Sequence, residues 1–301
     1  MNVTAAQLSD GCYAYNYDLY GATNFGYVPS LAGGIAFCAI FGVFLLVHLL
    51  QTVWKRMWWT LLFSLGAMTE LIGWIGRIWA AQCPYNGNAF LMQITTLIIA
   101  PTFITAGIYV ILGRLIHLAG PHTSPIAPRT YLYIFMTCDL MSLVIQAVGG
   151  AMASIASNSV PPGNTSPGTN IMVGGIVFQM AATTVFAVLF VLFVWRSRGD
   201  NLPRKIQYLL LATASSTLMI YVRSIYRTIE LSQGWTGFLI THEIFFVVLD
   251  GIMMVLAIGV FNLVHPAWFG LGGQRDKYKL AGPLSSEESS EQEQTELVTI
   301  S

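Results

Sequence analysis

Long apolar segments alternate with short polar segments along most of the chain. A helix needs about 20 predominantly apolar residues to cross a bilayer. Seven segments meet this requirement, at about 28–50, 59–81, 90–116, 130–153, 171–195, 205–229 and 237–264. Because the connections are short, we expect helices adjacent in sequence to be neighbours in space. The pattern predicts an all-α, polytopic membrane protein with a seven-helix domain over 28–266.

Composition supports this class. The 301 residues are 55% hydrophobic and only 9% charged, whereas charged residues make up about a quarter of a typical soluble domain. Residues 1–27 are polar, with neither the basic nor the apolar region of a cleavable signal peptide, so we expect the first helix to direct insertion. Residues 267–301 are expected to form a disordered tail, which either is a solvated acidic segment or is phosphorylated around Ser285–Glu291.

Basic residues collect in alternate connecting segments. They are Lys55, Arg56, Arg114, Arg129, Arg196, Arg198, Arg204, Lys205, Arg275, Lys277 and Lys279. The intervening segments, around 82–89, 154–170 and 231–236, contain no Lys or Arg. Cytoplasmic segments are enriched in these residues, so we expect the N-terminus outside the cell and the C-terminus in the cytoplasm.

Two further features fall on the predicted outer side. Asn2 and Asn164 begin N-glycosylation sequons, which are modified only in exposed extracytoplasmic segments. Cys12 and Cys83 also fall there, in a compartment where disulfides persist. These cysteines either form a bridge or remain two free thiols.

The sixth and seventh helices carry charges inside or at the edge of apolar segments. Arg223, Tyr226, Arg227 and Glu230 are spaced i, i+3, i+4 and i+7, which places them on one helix face; Glu243 and Asp250 are seven residues apart. A charge near the bilayer centre costs about 2.5–3.5 kcal/mol, so these side chains are expected to face the protein interior or a water-filled cavity.

Four other helices carry polar positions at helical spacing, and the first helix is comparatively bland. These positions are Glu70 and Arg77 in the second helix, Gln93 and Tyr109 in the third, Asp139, Ser142 and Gln146 in the fourth, and Gln179 in the fifth. We expect Gln93, Tyr109, Ser142, Gln146 and Gln179 to line a polar cavity.

Depth divides the charged residues into two layers. Glu70, Asp139 and Asp250 lie near the middles of their segments, with no cation at that depth, so each needs a proton, a bound cation or water. This predicts an outward-opening, solvated cavity with an acidic floor. The outer layer comprises Arg77, Arg223, Tyr226, Arg227, Glu230 and Glu243. Its members either meet a substrate head group or pair with one another to fix helix register.

The sequence lacks the common signatures of catalysis. No G-x-x-x-x-G-K-[ST] phosphate loop is present, and His242-Glu243 has no second His at metalloprotease spacing. No Ser or Cys shares its depth with a His, as nucleophilic catalysis would require. We therefore expect neither an enzyme nor a bound metal or cofactor. Nothing suggests nucleic-acid binding, and protein partners remain unknown.

The ordered set of motifs resembles the fungal RTA-like family of lipid-translocating exporters over roughly residues 25–266. The residues that carry it are Tyr27-Val28-Pro29, Glu70, Gly73, Arg77, Gln93, Pro101, Phe103, Tyr109, Arg114, Asp139, Ser142, Gln146, Gly149-Gly150, Gly175, Gln179, Arg223, Tyr226, Arg227, Glu230, Glu243, Asp250 and His265-Pro266. Trp74 and Ala267 depart from the family pattern.

The resemblance implies a multi-pass plasma-membrane protein that exports amphipathic lipids, such as sphingoid long-chain bases, or related toxicants. In that mechanism the mid-membrane carboxylates hold the substrate amine, or a proton exchanged against it, and the outer arginines meet a phosphate or hydroxyl. The alternative is a seven-helix receptor or lipid sensor. Against it, Arg114 has no acidic neighbour at the end of the third helix.

Overall fold

Seven long helices form the bundle in the computed structural model, which describes residues 11–13, 15–16, 23, 25–159, 163–199, 202–234 and 237–271. They are α1 Leu31–Lys55, α2 Leu61–Gln82, α3 Gly87–Ala119, α4 Pro128–Asn158, α5 Ser166–Arg196, α6 Arg204–Ser232 and α7 Glu243–Leu263. All seven are long and apolar enough to cross a membrane, so the predicted fold class is confirmed. Asn2 and the acidic tail lie outside the described residues.

The largest difference from the predicted bounds is at the start of α7, six residues later than expected. Gly234 has a φ of +76°, and turns with hydrogen bonds such as Thr241 N to Gly237 O (3.3 Å) occupy the segment before Glu243. The apolar residues of this segment extended the hydropathy pattern beyond the helix itself.

Each helix packs against its neighbours in sequence, as predicted, and α7 closes the bundle by contacting α1, α2, α3 and α6. Large apolar side chains point outward along the bundle, for example Leu46 and Leu50 on α1 and Leu140 on α4. Charged and amide side chains are buried inside it, among them Glu70 and Asp250. This distribution suits an apolar solvent outside and polar contacts within.

Helices α4 and α5 approach to near backbone contact. A Cβ at Gly149 would overlap the backbone nitrogen of Met172 and lie 2.6 Å from the carbonyl oxygen of Gly168. Small residues allow this approach, which membrane helices use because lipid supplies no hydrophobic force between them.

The N-terminal segment is held over the loop between α2 and α3. A disulfide joins Cys12 to Cys83, with 4.7 Å between the Cα atoms. The Asn16 backbone N–H donates to the Tyr85 hydroxyl (2.9 Å), and the Asn86 side chain donates to the Gly11 carbonyl (3.2 Å). Of the two alternatives for these cysteines, the structure contains the bridge.

We predict that Gly149→Ala destabilises the protein, whereas Gly150→Ala, the matched control on the same helix, does not. The nearest atom to a Cβ at Gly150 is the Met172 sulfur at 3.8 Å, which is ordinary contact. Both substitutions raise helix propensity by the same amount, so the difference between their free energies of unfolding reports the steric overlap of the new Cβ with the α5 backbone. That overlap should cost about 1–3 kcal/mol. Thermal unfolding in lipid nanodiscs measures it, and equal melting temperatures would refute the close packing.

Candidate functional site

Seven charged side chains converge between α2, α6 and α7. We call them the ion cluster: Glu70, Arg77, Arg223, Arg227, Glu230, Glu243 and Asp250. Six of them are at most 6% exposed, and Glu243 is the exception. The two α6 arginines and Glu230 face α7 because their spacing places them on one side of the helix. The structure thus brings together most of the charged residues singled out in the sequence.

Asp250 is the centre of the cluster. Its Oδ1 lies 2.8 Å from Nε of Arg223 and 2.7 Å from Nε of Arg227, and its Oδ2 accepts from Nη2 of Arg227 at 3.1 Å. The contact between Arg223 Nε and Asp250 is an ion pair whose geometry does not make it a hydrogen bond. The Nη2 of Arg223 donates a hydrogen bond to the Leu97 carbonyl on α3 (2.6 Å). One carboxylate therefore connects α6 and α7, and Arg223 extends the connection to α3.

Arg227 also pairs with Glu230 on its own helix. Its Nη1 donates to Oε2 of Glu230 at 2.9 Å, and the Tyr226 hydroxyl donates to Oε1 of the same carboxylate at 2.7 Å. This is the i, i+3 pair that the sequence suggested as a structural alternative. Both oxygens of Glu230 are thereby satisfied.

Arg77 lies at the end of the cluster nearest the N-terminal segment. Its Nη2 lies 2.8 Å from Oε1 of Glu243 and donates to the Tyr27 hydroxyl at 2.8 Å. Burial raises the pKa of Tyr27, so its hydroxyl group stays neutral and its oxygen accepts this hydrogen bond. The same Oε1 accepts from the Ser30 backbone N–H at 2.8 Å, which ties the start of α1 to α7.

Phe246 joins the two halves of the cluster. The guanidinium carbon of Arg77 lies 4.3 Å from the centre of its ring, and that of Arg227 lies 5.2 Å away. A cation over an aromatic face is stabilised by the ring quadrupole, most strongly when desolvated. Our sequence analysis missed Phe246, although it stands four residues before Asp250 and so on the same helix face.

A π-helical turn at Val247–Ile252 contains Asp250, an irregularity that the hydropathy pattern did not reveal. The following Gly251 lets α7 pack against two stacked rings, Phe37 of α1 and Trp74 of α2, whose centroids are 4.0 Å apart. Turns of this kind occur as single insertions inside α-helices and are frequent at functional sites.

Glu70 differs from the other carboxylates of the cluster. It is fully buried, and neither oxygen has an ion pair or a well-formed hydrogen bond among the described residues. The Trp74 indole, one turn along α2, faces it without good hydrogen-bond geometry. Arg223, Asp250 and Arg227 act on Glu70 electrostatically but direct their close contacts elsewhere.

Two expectations about this region are wrong. Asp250 was predicted to lack a cation at its depth, but two arginines of α6 contact it. The reason is that α7 begins at Glu243, six residues later than predicted, so Asp250 lies only seven residues into its helix, at a depth similar to that of Arg223 and Arg227, which are nine and five residues from the end of α6. The predicted outward-opening cavity with an acidic floor is absent from the described part of the chain at this point, since Glu70 and Asp250 are both 0% exposed.

Asp139 lies apart from the ion cluster. Its Oδ2 accepts from the hydroxyls of Thr105 and Tyr109 on α3, both at 3.0 Å. Its Oδ1 has no partner among the described residues. The predicted acidic layer therefore separates into one pair, Glu70 with Asp250, and one carboxylate bound to hydroxyl groups.

The residues predicted to line a polar cavity mostly bond to one another between helices. Gln146 Nε2 donates to the Ser142 hydroxyl (2.6 Å) and to Gln179 Oε1 (3.2 Å), and Ser142 donates to the Gly175 carbonyl (3.0 Å). These contacts join α4 to α5. Gln93 is buried on α3 beside α2, and its Oε1 has no partner in the described region.

The first helix is not bland, contrary to expectation. His48, Gln51 and Thr52 are all buried on one face near its end, at spacings i, i+3 and i+4. That spacing was visible in the sequence, but the high hydropathy of the rest of α1 obscured it.

The arrangement can hold a positive charge at one place. The cluster contains three arginines and four carboxylates, a net charge of −1 with every group ionised. Glu70 is the carboxylate that has no ion pair with any residue that the structure describes. Of the arginines, Arg77 keeps two nitrogens, Nε and Nη1, without hydrogen bonds in the described structure.

Among the described residues, no group of three or more His, Cys, Asp and Glu side chains could hold a metal ion.

We predict that Asp250→Asn lowers the free energy of unfolding by about 3–5 kcal/mol, because it removes the carboxylate that pairs with buried Arg223 and one of the two that pair with buried Arg227. Asp139→Asn is the matched control, since asparagine keeps an acceptor for Thr105 and Tyr109. Chemical unfolding in detergent micelles measures both. If Asp250→Asn is as stable as Asp139→Asn, Asp250 does not hold the cluster together.

Comparison with known proteins gives a consistent assignment. The family described as RTA1 like protein matches residues 63–272. The chain is 32% identical to the sphingoid long-chain base transporter RSB1 of Saccharomyces cerevisiae, over 85% of this chain and 75% of that protein. It is 30% identical to protoporphyrin uptake protein 1 (67% and 66% covered) and 29% identical to protein RTA1 (68% and 64%), both of the same yeast. No solved structure matches the chain.

The matched region contains every residue of the ion cluster, and the match spans more than half of the chain. The protein belongs to the RTA1-like family of multi-pass membrane proteins.

Proposed function

We propose that this protein is a plasma-membrane exporter of amphipathic lipids with a cationic head group, such as sphingoid long-chain bases, and that it works without an ATPase of its own. The observation that carries the proposal is Glu70: a fully buried carboxylate with no ion pair among the described residues, inside a cluster whose net charge is −1. A single ammonium group would neutralise that cluster.

The substrate amine and a proton compete for the same carboxylate in this mechanism. An unpaired carboxylate in a low-dielectric interior is unfavourable, so Glu70 holds a proton when no substrate is bound. Arrival of an ammonium displaces that proton, and its departure allows the proton to return. The exchange couples export of one cation to movement of one proton in the opposite direction, which requires no nucleotide.

Glu70 is suited to this role because its neighbours are already engaged. Asp250 is held by two arginines, Glu230 by Arg227 and Tyr226, and Glu243 by Arg77. A cation that bound to one of these would have to break an existing ion pair. Binding to Glu70 breaks none.

The structure has the site closed, so transport requires a helix to move. Two irregular features of the helices around Glu70 suit such a movement: the π-helical turn Val247–Ile252 in α7 and Pro101 within α3. Both weaken the regular hydrogen bonding of their helix. We propose that displacement of α7 against α2 opens a path from Glu70 to the lipid or the aqueous face.

Arg77 provides the second contact for a head group. Its Nε and Nη1 are available for a hydroxyl or phosphate oxygen, whereas Arg223 and Arg227 are bound within the cluster. With the N-terminus outside, Arg77 lies on the outer-leaflet side of Glu70. A substrate leaving Glu70 would meet it last.

The relatives support transport of amphipathic molecules but differ in cargo. One bears the name of a sphingoid long-chain base transporter and another that of a protoporphyrin uptake protein. We choose a long-chain base for two reasons. The sphingoid long-chain base transporter matches more of this chain than the protoporphyrin uptake protein does. The protonated amine of a long-chain base also provides the positive counter-charge that Glu70 lacks among the described residues.

We predict that Glu70→Gln abolishes efflux of a labelled long-chain base from cells, at a surface abundance equal to wild type. The amide keeps the size of the side chain but can neither bind an ammonium group as an ion pair nor release a proton. The efflux rate should therefore fall at least about tenfold, which corresponds to the loss of about 1.4 kcal/mol of binding free energy. Surface biotinylation provides the abundance.

Asp139→Asn is the control, and it should retain efflux because its carboxylate lies outside the ion cluster. Normal efflux by Glu70→Gln would overturn the proposed cation site. If wild type exports no long-chain base while Glu70→Gln still changes a cellular response to it, the receptor or lipid sensor is the better interpretation.

A further inference from the structure

A second buried polar cluster lies at the opposite end of the bundle from Arg77, between α1 and α7. We call it the inner cluster: His48, Gln51, Asn262 and His265. The two imidazole centres are 6.3 Å apart, and the Gln51 Nε2 donates to the Asn262 carbonyl at 2.9 Å. Both histidines are 0% exposed, and the Asn262 amide atoms are buried. None of these residues belongs to the ion cluster.

Most hydrogen-bonding atoms of the inner cluster have no partner among the described residues. They are both ring nitrogens of His48, Oε1 of Gln51, Oδ1 and Nδ2 of Asn262, and Nε2 of His265. One His48 nitrogen faces the Ile258 carbonyl, but without good hydrogen-bond geometry. Buried polar atoms are satisfied in most proteins, so six in one place indicate a partner from outside the chain.

The cluster is uncharged and mixes donors with acceptors. Burial and the nearby Lys55 lower the pKa of His265 to about 4, so its ring is neutral. Its Nδ1 accepts from the Ala267 backbone N–H at 3.3 Å, which leaves Nε2 as a donor. The Gln51 and Asn262 carbonyl oxygens are acceptors and the Asn262 nitrogen is a donor. Hydroxyl groups, which both donate and accept, match this set better than a bare cation or anion.

An apolar layer separates the inner cluster from Glu70. It consists of Phe41, Ala67, Met254 and Ala257, all 0% exposed. Phe63, whose ring stacks on His48 with centroids 5.6 Å apart, stands seven residues before Glu70 on α2, or about 10 Å along the helix axis. Two polar sites of different chemistry therefore follow one another along the bundle.

We propose that the inner cluster is a second head-group site, which binds the hydroxyl groups of the transported lipid on the inner-leaflet side of Glu70. This inference rests on the proposed function, because it takes the lipid to be an amino alcohol. The inner cluster selects for hydroxyls, and Glu70 selects for the amine. A substrate with only one of the two features would be held at only one of the sites.

The test compares two ligands that differ only in their hydroxyl groups: sphinganine and its 1,3-dideoxy analogue, which keeps the amine and the chain. Binding of each is measured to purified full-length protein in nanodiscs, for wild type, His48→Phe and Asn262→Leu. His48→Phe preserves a ring that can stack on Phe63. His117→Phe is the control, because His117 is exposed at the end of α3.

Wild type should bind sphinganine about 3- to 10-fold more tightly than the deoxy compound, as expected for one or two hydrogen bonds. His48→Phe and Asn262→Leu should lose this preference by binding sphinganine more weakly, with affinity for the deoxy compound unchanged. His117→Phe should keep it. Because the deoxy ligand removes the hydroxyls without changing the protein, equal affinities in wild type would overturn the inner site even if a variant fails to fold.

Equal affinities in wild type, or a preference that survives in both variants, would overturn the inner site and leave a cluster that binds water only. Binding of the two ligands to Glu70→Gln distinguishes a failure of the inner site from a failure of the proposed function. If this substitution weakens binding of both ligands equally, the amine site stands by itself. If wild type binds neither ligand, both proposals are wrong.

Discussion

The ion pairs of Asp250 are the interaction on which the arrangement of the bundle depends. A charge inside the membrane is tolerated only when an opposite charge and hydrogen bonds replace water. Arg223 and Arg227 supply both, and in doing so they fix the rotation of α6 and α7 about their axes. Arg223 also bonds to the Leu97 carbonyl, so α3 is aligned by the same group. The remaining contacts of the cluster are arranged around this centre.

Phe246 and Tyr27 extend this centre to the end of the bundle nearest the N-terminal segment. Phe246 lies between Arg77 and Arg227, and Tyr27 contacts Arg77 from the segment before α1. Three helices and the N-terminal segment are therefore coupled through one arginine on α2. Glu70 lies among these partners but has no ion pair within the described part of the chain. In the proposed function, the ammonium group of the substrate pairs with Glu70 and completes this network instead of competing with it.

Hydropathy and helical spacing were sufficient to predict the fold and much of the cluster. Seven apolar segments determined the helices, and the i, i+3, i+4 spacing placed Arg223, Arg227 and Glu230 on one face. Which side chains pair across helices could not be obtained in this way, because relative depth depends on where each helix begins. The counterions of Asp250 were missed because α7 begins six residues later than predicted, which moves Asp250 to the depth of the α6 arginines. The π-helical turn was also missed, since the residues around it are almost all apolar and a rotation of the helix face therefore leaves no visible change in hydropathy.

The polar residues of α1 show a second reason why part of the structure could not be predicted from the sequence. His48 and Gln51 are spaced as one face, but a single apolar segment of high hydropathy made them look incidental. Only their position opposite Asn262 and His265 reveals a cluster, and that juxtaposition depends on how α7 closes onto α1. A polar site made by the first and last helices has no local signature in a sequence.

Infrared difference spectroscopy of the purified protein in lipid nanodiscs, with and without a saturating long-chain base, tests the central claim most directly. The carbonyl stretch of a protonated carboxyl group is distinct from that of a carboxylate. If Glu70 exchanges its proton for the substrate amine, addition of the base removes a protonated-carboxyl band in wild type and in Asp139→Asn, and Glu70→Gln shows no such change. A wild-type spectrum without this loss, or the same loss in Glu70→Gln, would contradict the account.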